Sequence, residues 1–349
     1  MKNRFLIDYA NPDAGIGHSM GFINRAIKIA DRNKLLFAYS ETQLLKSADS
    51  SWGWRLKQIL RTLRGRKQYE THNLGNDLNH LLGLQRILPS RDEVELKIKK
   101  GELRSIDLPF PEFPVPSIDQ IDDEAYKLVD QFIQSHPESN IVFKLNNKNS
   151  GDYEYGATRE WFMQAYAQAR THHPIALDYQ QDKLNVAVHI RRGDLLPGRQ
   201  YADLSSRMLP DYWYLNLLSV LMQSTSKKLA IHIYSEGKAG QYYSEMNEPF
   251  SWCAHLKDSG HEVYEHIDES FMSTFHHLLF ADILIGSKSG MTHLAGMLGK
   301  QMKLVPKMWH SYRGAKNVIE VADDIKEFDK EHIKILINKH LKDLGKQAN

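Results

Sequence analysis

The sequence predicts an α/β protein with two domains, each built around a parallel β-sheet. Short apolar segments alternate with segments of helical periodicity, and the apolar segments end in turns rich in glycine and polar residues. The alternation breaks over HHPIALDYQQDK at 172–183 and then resumes more regularly. Alternating strands and helices favour parallel sheets, since each helix carries the chain back across the sheet. We therefore predict an N-terminal domain over 1–175, a C-terminal α/β domain over 176–325 and a terminal helix over 326–349.

The composition limits the classes of partner. Of the 349 residues, 42% are hydrophobic and 25% are charged, which allows a sizeable core, and the net charge of +2 argues against a nucleic-acid-binding protein. The single cysteine, Cys253, allows no internal disulfide and fits a reducing compartment. MKNRFLIDYA is too short and too soon interrupted by Asp8 to be a signal-peptide core, and no apolar run approaches the length of a membrane span. The sequence predicts a cytoplasmic protein.

The N-terminal domain begins with a predicted strand–helix–strand unit. RFLIDYA at 4–10 and LLFAYS at 35–40 read as strands, and the glycine-punctuated turn NPDAGIGHSMGF at 11–22 opens a helix over 21–33. After LPFPEFPVP at 108–116, whose four prolines favour extended chain, a strand returns at 140–147 and a helix at 156–171. The acidic run DQIDDE at 119–124 is interpreted as solvated surface.

The C-terminal domain is predicted as a longer alternation of the same kind. Strands are predicted at 185–190, 229–235, 262–267, 282–287 and 303–306, and helices at 210–223, 239–246, 270–280, 290–298 and 325–344. Doubly wound sheets bind ligands beyond the carboxyl ends of their strands. Three predicted strand ends carry polar motifs that suit this role: HIRRGD, HIYSEG and IGSKSGMTHLAG.

HIRRGD places two adjacent arginines, Arg191 and Arg192, directly after a buried strand. The guanidinium group has a planar fork of donors that matches phosphate oxygens, so a pair at a strand end is well placed to hold a diphosphate. Along an extended strand His189 and Arg191 share one face while Arg192 points to the other, which predicts different roles for the two arginines. The alternative for Arg192 is a structural ion pair with Asp194.

IGSKSGMTHLAG places Ser287, Lys288 and Ser289 just before a predicted helix. The first N–H groups of a helix lack internal partners and attract anions. The spacing differs from that of a P-loop, and ordinary N-capping by Ser287 or Ser289 is the alternative interpretation.

The N-terminal turn AGIGHSMG contains Gly15, Gly17 and His18. Its glycines either admit a ligand close to the backbone or only allow a tight connection between strand and helix. The sequence has 17 histidines, but none forms an HExxH motif or a three-histidine cluster, and we predict no required metal.

WGWRLKQILRTLRGRK at 52–67 combines an apolar stripe at helical spacing with six cations and no acid. Such a helix can contact an anionic membrane surface, here the inner face, or an anionic acceptor. The alternative is a solvated helix that packs on the core through its apolar stripe.

These motifs together resemble those of the fucosyltransferase superfamily, which includes α1,2-, α1,6- and protein O-fucosyltransferases. VAVHIRRGD matches the H-x-R-R-x-D motif of that family position for position. IHIYSEG resembles its second motif, a strand ending in Ser or Thr and an acid, and DILIGSKSGMTHLAGML resembles its third. The resemblance covers about residues 184–300, and AGIGHSMGF is similar to the N-terminal glycine-rich loop of the family.

The resemblance implies a GT-B-like fold with two Rossmann-type domains facing across a cleft, an acceptor-binding N-terminal domain and a C-terminal domain that holds GDP-fucose. Arg191 would bind the β-phosphate, Arg192 would support the geometry of the motif, and His189 would contact the nucleotide. The other donor-binding residues that the resemblance implies are Gly15, Gly17, His18, Ser235, Asp268 against the guanine, Ser287, Lys288 and Ser289.

The reaction that the resemblance implies is an inverting, metal-independent transfer of fucose to a hydroxyl of a glycan or glycolipid, with no cofactor besides the donor substrate. Inversion calls for a carboxylate base, and Asp13, Asp194 and Asp203 are candidates beside Arg191 in the catalytic set. The sequence departs from the family where His18 replaces an asparagine and GMTHLAG replaces an aromatic cluster. Two alternatives therefore stay open, a different sugar nucleotide as donor and a catalytically silent nucleotide- or glycan-binding protein.

Overall fold

The computed structural model of the protein describes residues 3–8, 16–40, 74–109, 123–146, 151–195, 202–236, 256–307, 309–324 and 329–347. The chain divides into two compact units, Met1–Pro174 and Ile175–Asn349. Several predicted features lie outside the described residues: Asp13, Gly15, the basic segment 52–67, most of the proline-rich segment 108–116 and the helix predicted at 239–246. Contact of the basic segment with a membrane or an anionic acceptor stays a prediction.

The first unit contains a parallel sheet of four strands in the order β2-β1-β4-β3. The strands are β1 (Arg4–Asp8), β2 (Leu36–Ala38), β3 (Arg104–Asp107) and β4 (Ile141–Leu145). The helices are α1 (Ile16–Asn33), α2 (Leu74–Leu82), α3 (Leu84–Ile87), α4 (Arg91–Lys99), α5 (Asp123–Gln134) and α6 (Arg159–His172). The predicted strand–helix–strand start is confirmed, because β1 pairs in parallel with β2 and with β4.

One prediction in this unit, the start of the first helix, is corrected. Helix α1 begins at Ile16, so Gly17 and His18 lie in its first turn and not in a turn that precedes it. The buried Met20 and Ile23 extend the apolar face of the helix back through the glycine-rich segment. At the end of the acidic run, Asp123 and Glu124 are exposed, as predicted, and lie in the first turn of α5, where acidic side chains complement the positive end of the helix dipole.

Buried ion pairs attach α1 to its surroundings. The guanidinium of Arg25 lies 2.8 Å from the Asp8 carboxylate at the end of β1, and both side chains are buried. Asp152 accepts hydrogen bonds from Lys28 at 2.7 Å and from Tyr126 at 2.5 Å. Burial raises the pKa of Asp8 to about 6 in spite of the nearby arginine. These contacts fix the helix that follows β1.

The second unit contains a parallel sheet of six strands in the order β10-β9-β8-β5-β6-β7. The strands are β5 (Leu184–Ile190), β6 (Leu229–Ser235), β7 (Glu262–Ile267), β8 (Ile283–Ile285), β9 (Met302–Pro306) and β10 (Val318–Val321). The helices are α7 (Asp211–Ser224), α8 (Phe271–Phe280), α9 (Gly290–Leu298) and α10 (Lys330–Gln347), with 3-10 turns at Gly193–Leu195 and Ala202–Arg207. The two parallel sheets confirm the predicted α/β class with two Rossmann-type domains.

The strand order of the second unit defines a topological switch point. From β5 the chain runs outward through β6 and β7, then returns to the other side of β5 and runs outward again through β8, β9 and β10. This is the order 3-2-1-4-5-6 of dinucleotide-binding doubly wound sheets. The connections after β5 and β8 leave in opposite directions, so the sheet opens a crevice beyond the carboxyl ends of these two strands.

A continuous hydrophobic core holds β5 in place. Val186, Val188 and Ile190 are fully buried and belong to one cluster with α7 and α10. The last of these helices contributes Ile333 and Ile337 to this core, and so the terminal helix packs on the second unit. His189 points away from this cluster, because alternate residues of a strand face opposite sides of the sheet. Because β5 is held by this core, the HIRRGD motif at its carboxyl end has a fixed position.

Candidate functional site

The candidate site lies at the carboxyl ends of β5 and β8, on either side of the switch point. The two strands are parallel neighbours, with Val188 opposite Ile285. The chain continues from β5 into Arg191 and Arg192. From β8 it continues into the turn 286–289, which leads directly into α9. The structure therefore brings together HIRRGD and IGSKSGMTHLAG, two of the three motifs singled out from the sequence.

His189 connects the two strand ends from inside the sheet. Its side chain is buried, and its Nδ1 lies 2.6 Å from the Thr292 hydroxyl and 2.8 Å from the Ser287 hydroxyl. Burial lowers the pKa of His189 to about 3, with the nearby Arg191 charge as a smaller cause. The imidazole is therefore neutral at neutral pH. Its described contacts attach β5 to the turn that precedes α9.

Arg191 lies over that turn. Its guanidinium is partly buried, and Nη1 donates a hydrogen bond of 3.0 Å to the Lys288 carbonyl. His189 and Arg191 thus face the same segment, as the strand alternation predicts. The bond to a main-chain oxygen fixes the direction of the planar guanidinium fork at the switch point.

Arg192 points to the opposite side of the sheet. Its Nη2 lies 2.7 Å from the Asp211 Oδ1 at the start of α7, and each of these side chains is 4% exposed. Its Nη1 also donates to the Arg191 carbonyl at 3.0 Å. The structural ion pair considered as the alternative for Arg192 is present, but the described partner is Asp211 and not Asp194. Arg192 is therefore a positioning residue that holds the backbone of Arg191.

The turn before α9 is capped by Ser289. The Ser289 hydroxyl accepts a hydrogen bond of 3.3 Å from the Met291 N–H, and its own N–H donates to the Ser287 carbonyl at 2.8 Å. Capping of this kind and anion binding use the same orphan donors of the first helical turn. Lys288 turns its ammonium to Asp323, with Nζ 2.5 Å from Oδ2.

The remaining motif, HIYSEG, lies next to the site at the end of β6. The Ser235 hydroxyl donates a hydrogen bond of 2.7 Å to the Ile190 carbonyl, and the Asp268 N–H donates to the Ser235 carbonyl at 3.0 Å. Ser235 is buried, so its hydroxyl serves the junction between β5 and β6. Asp268 is exposed and has a left-handed backbone with φ of 56°. It directly follows β7, at the carboxyl edge of the sheet.

Sequence reasoning missed three acids of this region, namely Glu236, Asp211 and Asp323. Glu236 directly follows Ser235 and is the acid of the HIYSEG motif, which is the signal in the sequence that points to it. Its side chain lies against the glycine of HIRRGD: a Cβ built on Gly193 would lie 2.5 Å from Glu236 Oε2 and 2.6 Å from its Cβ. The first motif therefore requires a glycine because the acid of the second motif covers it.

Substitution of Gly193 by alanine is expected to lower the free energy of unfolding of the second unit by about 1–3 kcal/mol, because the new methyl group displaces Glu236 and the backbone next to Arg191. Urea unfolding measures the change. The matched controls are Glu236→Gly alone and the double variant Gly193→Ala with Glu236→Gly, in which the contacts with both Oε2 and Cβ of Glu236 are absent. Unchanged stability in Gly193→Ala would show that this contact does not shape the site.

The remaining predicted residues are placed only in part. The backbones of His18, Asp194 and Asp203 lie in described helical segments, but their side chains lie outside what the structure describes. Asp13 and Gly15 lie outside the described residues altogether. The choice of a general base among Asp13, Asp194 and Asp203 stays a prediction.

The described residues also bear on metal binding and on membrane insertion. Within the described ranges, no group of three or more His, Cys, Asp or Glu side chains is arranged to hold a metal ion. The same part of the chain contains no helix that is both long enough and apolar enough to cross a membrane.

The chain matches no protein-family profile and no curated protein. It is similar to the E. coli heptosyltransferase WaaC with ADP, at 14% identity over 96% of this chain and 99% of that chain, with a TM-score of 0.43.

Two other solved structures are also similar at low sequence identity. POFUT1, a protein O-fucosyltransferase, in complex with GDP has 11% identity over 85% of this chain and 94% of that chain, with a TM-score of 0.44. The spinosyn rhamnosyltransferase SpnG with thymidine diphosphate has 12% identity over 98% and 92%, with a TM-score of 0.32. Identities and TM-scores this low establish neither a family nor a reaction, and the fold assignment rests on the two parallel sheets.

Proposed function

We propose that the protein is a GT-B glycosyltransferase that moves a sugar from a nucleoside-diphosphate donor to a hydroxyl acceptor. The observation that carries the proposal is the position of Arg191 at the switch point of the second sheet, over the turn that starts α9. A permanent cation and a helix N-terminus converge there, and both favour a diphosphate. The neutral His189 and the paired Arg192 add no further net charge to the site.

Transfer of the sugar builds negative charge on the leaving diphosphate. In the proposed reaction the acceptor oxygen attacks the anomeric carbon, the bond from that carbon to the diphosphate breaks, and the configuration inverts. Arg191 and the first N–H groups of α9 stabilise the diphosphate most strongly once that bond is breaking. Since these fixed groups supply the charge stabilisation, we propose a reaction that needs no metal ion.

The proton of the acceptor hydroxyl passes to a carboxylate in this scheme. The candidates from the sequence are Asp13, Asp194 and Asp203. Glu236 joins them, since its carboxylate lies beside Gly193 at the same edge of the sheet as Arg191. An acceptor hydroxyl opposite the leaving group must lie within hydrogen-bond reach of whichever carboxylate acts as base.

GDP-fucose is the donor that we propose, and a glycan or glycolipid is the acceptor. The support for fucose is the H-x-R-R-x-D motif at His189, Arg191, Arg192 and Asp194, together with the two motifs that the structure brings beside it. Ser287, Lys288 and Ser289 would lie near the diphosphate, and Asp268 would face the guanine from the end of β7.

A nucleotide panel tests this proposal. GDP, UDP, ADP and CMP are added to the protein, and GDP is expected to raise the free energy of unfolding selectively, by about 2.7 kcal/mol at 100 times its Kd. Arg191→Ala is expected to weaken GDP binding by about ten- to a hundredfold, the value of a charge-assisted hydrogen bond. Fucose release and transfer from GDP-fucose, with and without EDTA, then report the reaction.

Each outcome of the panel has a defined meaning. Selective stabilisation by another nucleotide would replace GDP-fucose with a different donor. GDP binding without hydrolysis or transfer of GDP-fucose would identify a binding protein and overturn the enzymatic proposal. Full GDP affinity in Arg191→Ala would remove the observation on which the proposal depends.

A further inference from the structure

Lys288 is the second cation at the switch point, and an acid already neutralises it. Its Nζ lies 2.5 Å from Asp323 Oδ2, and the two side chains are only 14% and 22% exposed. Lys288 lies between Ser287 and Ser289 in the turn before α9, and its carbonyl accepts the hydrogen bond from Arg191. A cation in the position best suited to a diphosphate is therefore held by a carboxylate of the protein itself.

Asp323 reaches Lys288 from a fixed backbone. It follows β10, and the preceding residue Ala322 accepts a hydrogen bond of 3.0 Å from the Trp213 indole N–H of α7. The other carboxylate oxygen of Asp323, Oδ1, is buried and has no hydrogen-bond partner among the described residues. A desolvated oxygen without a partner makes the pair less stable than a fully satisfied one. The ion pair is therefore a weak competitor for a better anion.

The backbone and the side chain of Lys288 have different partners. The carbonyl accepts the hydrogen bond from Arg191, whereas the ammonium lies on Asp323 at the end of a flexible four-carbon chain. The ammonium can thus change partners by rotation of the side chain while the carbonyl keeps Arg191 in place. A diphosphate offers more charge and more acceptor oxygens than a single carboxylate.

We propose that Asp323 is a positioning residue that competes with the donor diphosphate for Lys288, so that nucleotide binding transfers the ammonium from Asp323 to the phosphates. The inference rests on the proposed function and adds a regulatory element to the same site. Each binding event must first break the ion pair, and this lowers the apparent affinity for the nucleotide. Asp323 thereby sets how readily the product nucleotide leaves.

The test is the affinity for GDP in Asp323→Asn. Because the amide cannot hold the ammonium by charge, the variant is expected to bind GDP about fivefold more tightly, the upper value for a partly exposed ion pair. The matched control is Asp324→Asn, an exposed neighbour with the same change in net charge. Asp323→Ala, which also removes the buried Oδ1, is expected to show the same gain in GDP affinity. It replaces Asp323→Asn in the experiment if that variant does not fold.

The gain must depend on Lys288. In a double-mutant cycle, Asp323→Asn is expected to have no effect on GDP affinity when Lys288 is already alanine. A gain no larger than that of Asp324→Asn, or a gain that persists without Lys288, would overturn the inference while wild-type GDP binding leaves the proposed function intact. If the wild type binds none of the four nucleotides, the proposed function and this inference both fail.

Discussion

Arg192→Met is expected to lower the free energy of unfolding of the second unit by about 3–5 kcal/mol, although its neighbour Arg191→Met changes stability little. The reason is the buried pair with Asp211: both side chains are 4% exposed, and Nη2 lies 2.7 Å from Oδ1. Removal of the guanidinium leaves a buried carboxylate whose Oδ2 already lacks a partner among the described residues. Arg191 is only partly buried and lies at the crevice, so its loss affects ligand binding instead.

Denaturant unfolding, followed by hydrogen exchange of peptides from β5 and α7, measures this difference within the second unit. The double variant Arg192→Met with Asp211→Leu removes both charges and is expected to recover most of the lost stability, because an apolar pair of similar volume replaces a buried ion pair at little cost. Equal destabilisation by Arg191→Met and Arg192→Met would contradict the division of roles between the two arginines.

Arg191 and Arg192 show which features of the site the sequence predicts and which it does not. Strand alternation is enough to predict that His189 and Arg191 face one way and Arg192 the other, since it depends only on backbone geometry. The identity of the Arg192 partner depends on how α7 packs on the sheet, which places Asp211 beside a residue 19 positions earlier. Local pattern contains no information on that packing, so the nearby Asp194 was the partner that sequence reasoning named.

Helices and strands differ in the same way in how far the local sequence pattern predicts them. The helix predicted at 290–298 coincides with α9, because a glycine-rich turn and an apolar periodic segment mark its start and its course. Strands β3 and β10 were not predicted, since each has only four residues and at least one exposed position. Because the sequence does not predict β10, it does not predict the ion pair between Lys288 and Asp323 either, since that pair depends on where this edge strand ends.

The sequence predicts the kind of ligand that the site favours, but not the strand order or the charge state of the buried histidine. Residue types at strand ends indicate an anion site, because parallel strands bring their carboxyl ends to one edge. The strand order that makes the edge between β5 and β8 a switch point appears only in the folded sheet. The neutral state of His189 also depends on burial against Ser287 and Thr292, which the spacing of histidines does not reveal.

Acidification is expected to destabilise the second unit and to stabilise the first. Burial lowers the pKa of His189 to about 3, and burial together with the nearby His266 and His277 lowers the pKa of His232 to about 4. Both imidazoles are buried neutral, and their ordinary pKa is about 6.5. Between pH 6.5 and pH 3 to 4 the unfolded chain therefore binds more protons than the folded unit does. The free energy of unfolding that these imidazoles contribute above pH 6.5 is lost as the pH falls through this range. His189 alone accounts for about 3 kcal/mol between pH 7 and pH 4.

Asp8 acts with the opposite sign in the first unit. Because burial raises its pKa from 3.8 to about 6, the folded unit binds a proton before the unfolded chain does. Its contribution is present below pH 3.8 and is lost as the pH rises through 6, which amounts to about 2 kcal/mol between pH 4 and pH 7. Hydrogen exchange from pH 7 to pH 4, corrected for the intrinsic exchange rate, reports each unit separately. His189→Gln is expected to reduce the pH dependence of the second unit only, with His232 supplying the remainder, and Asp8→Asn is expected to reduce that of the first unit only. A common response of both units to acid in the wild type, unchanged by either variant, would show that these two buried groups do not govern it.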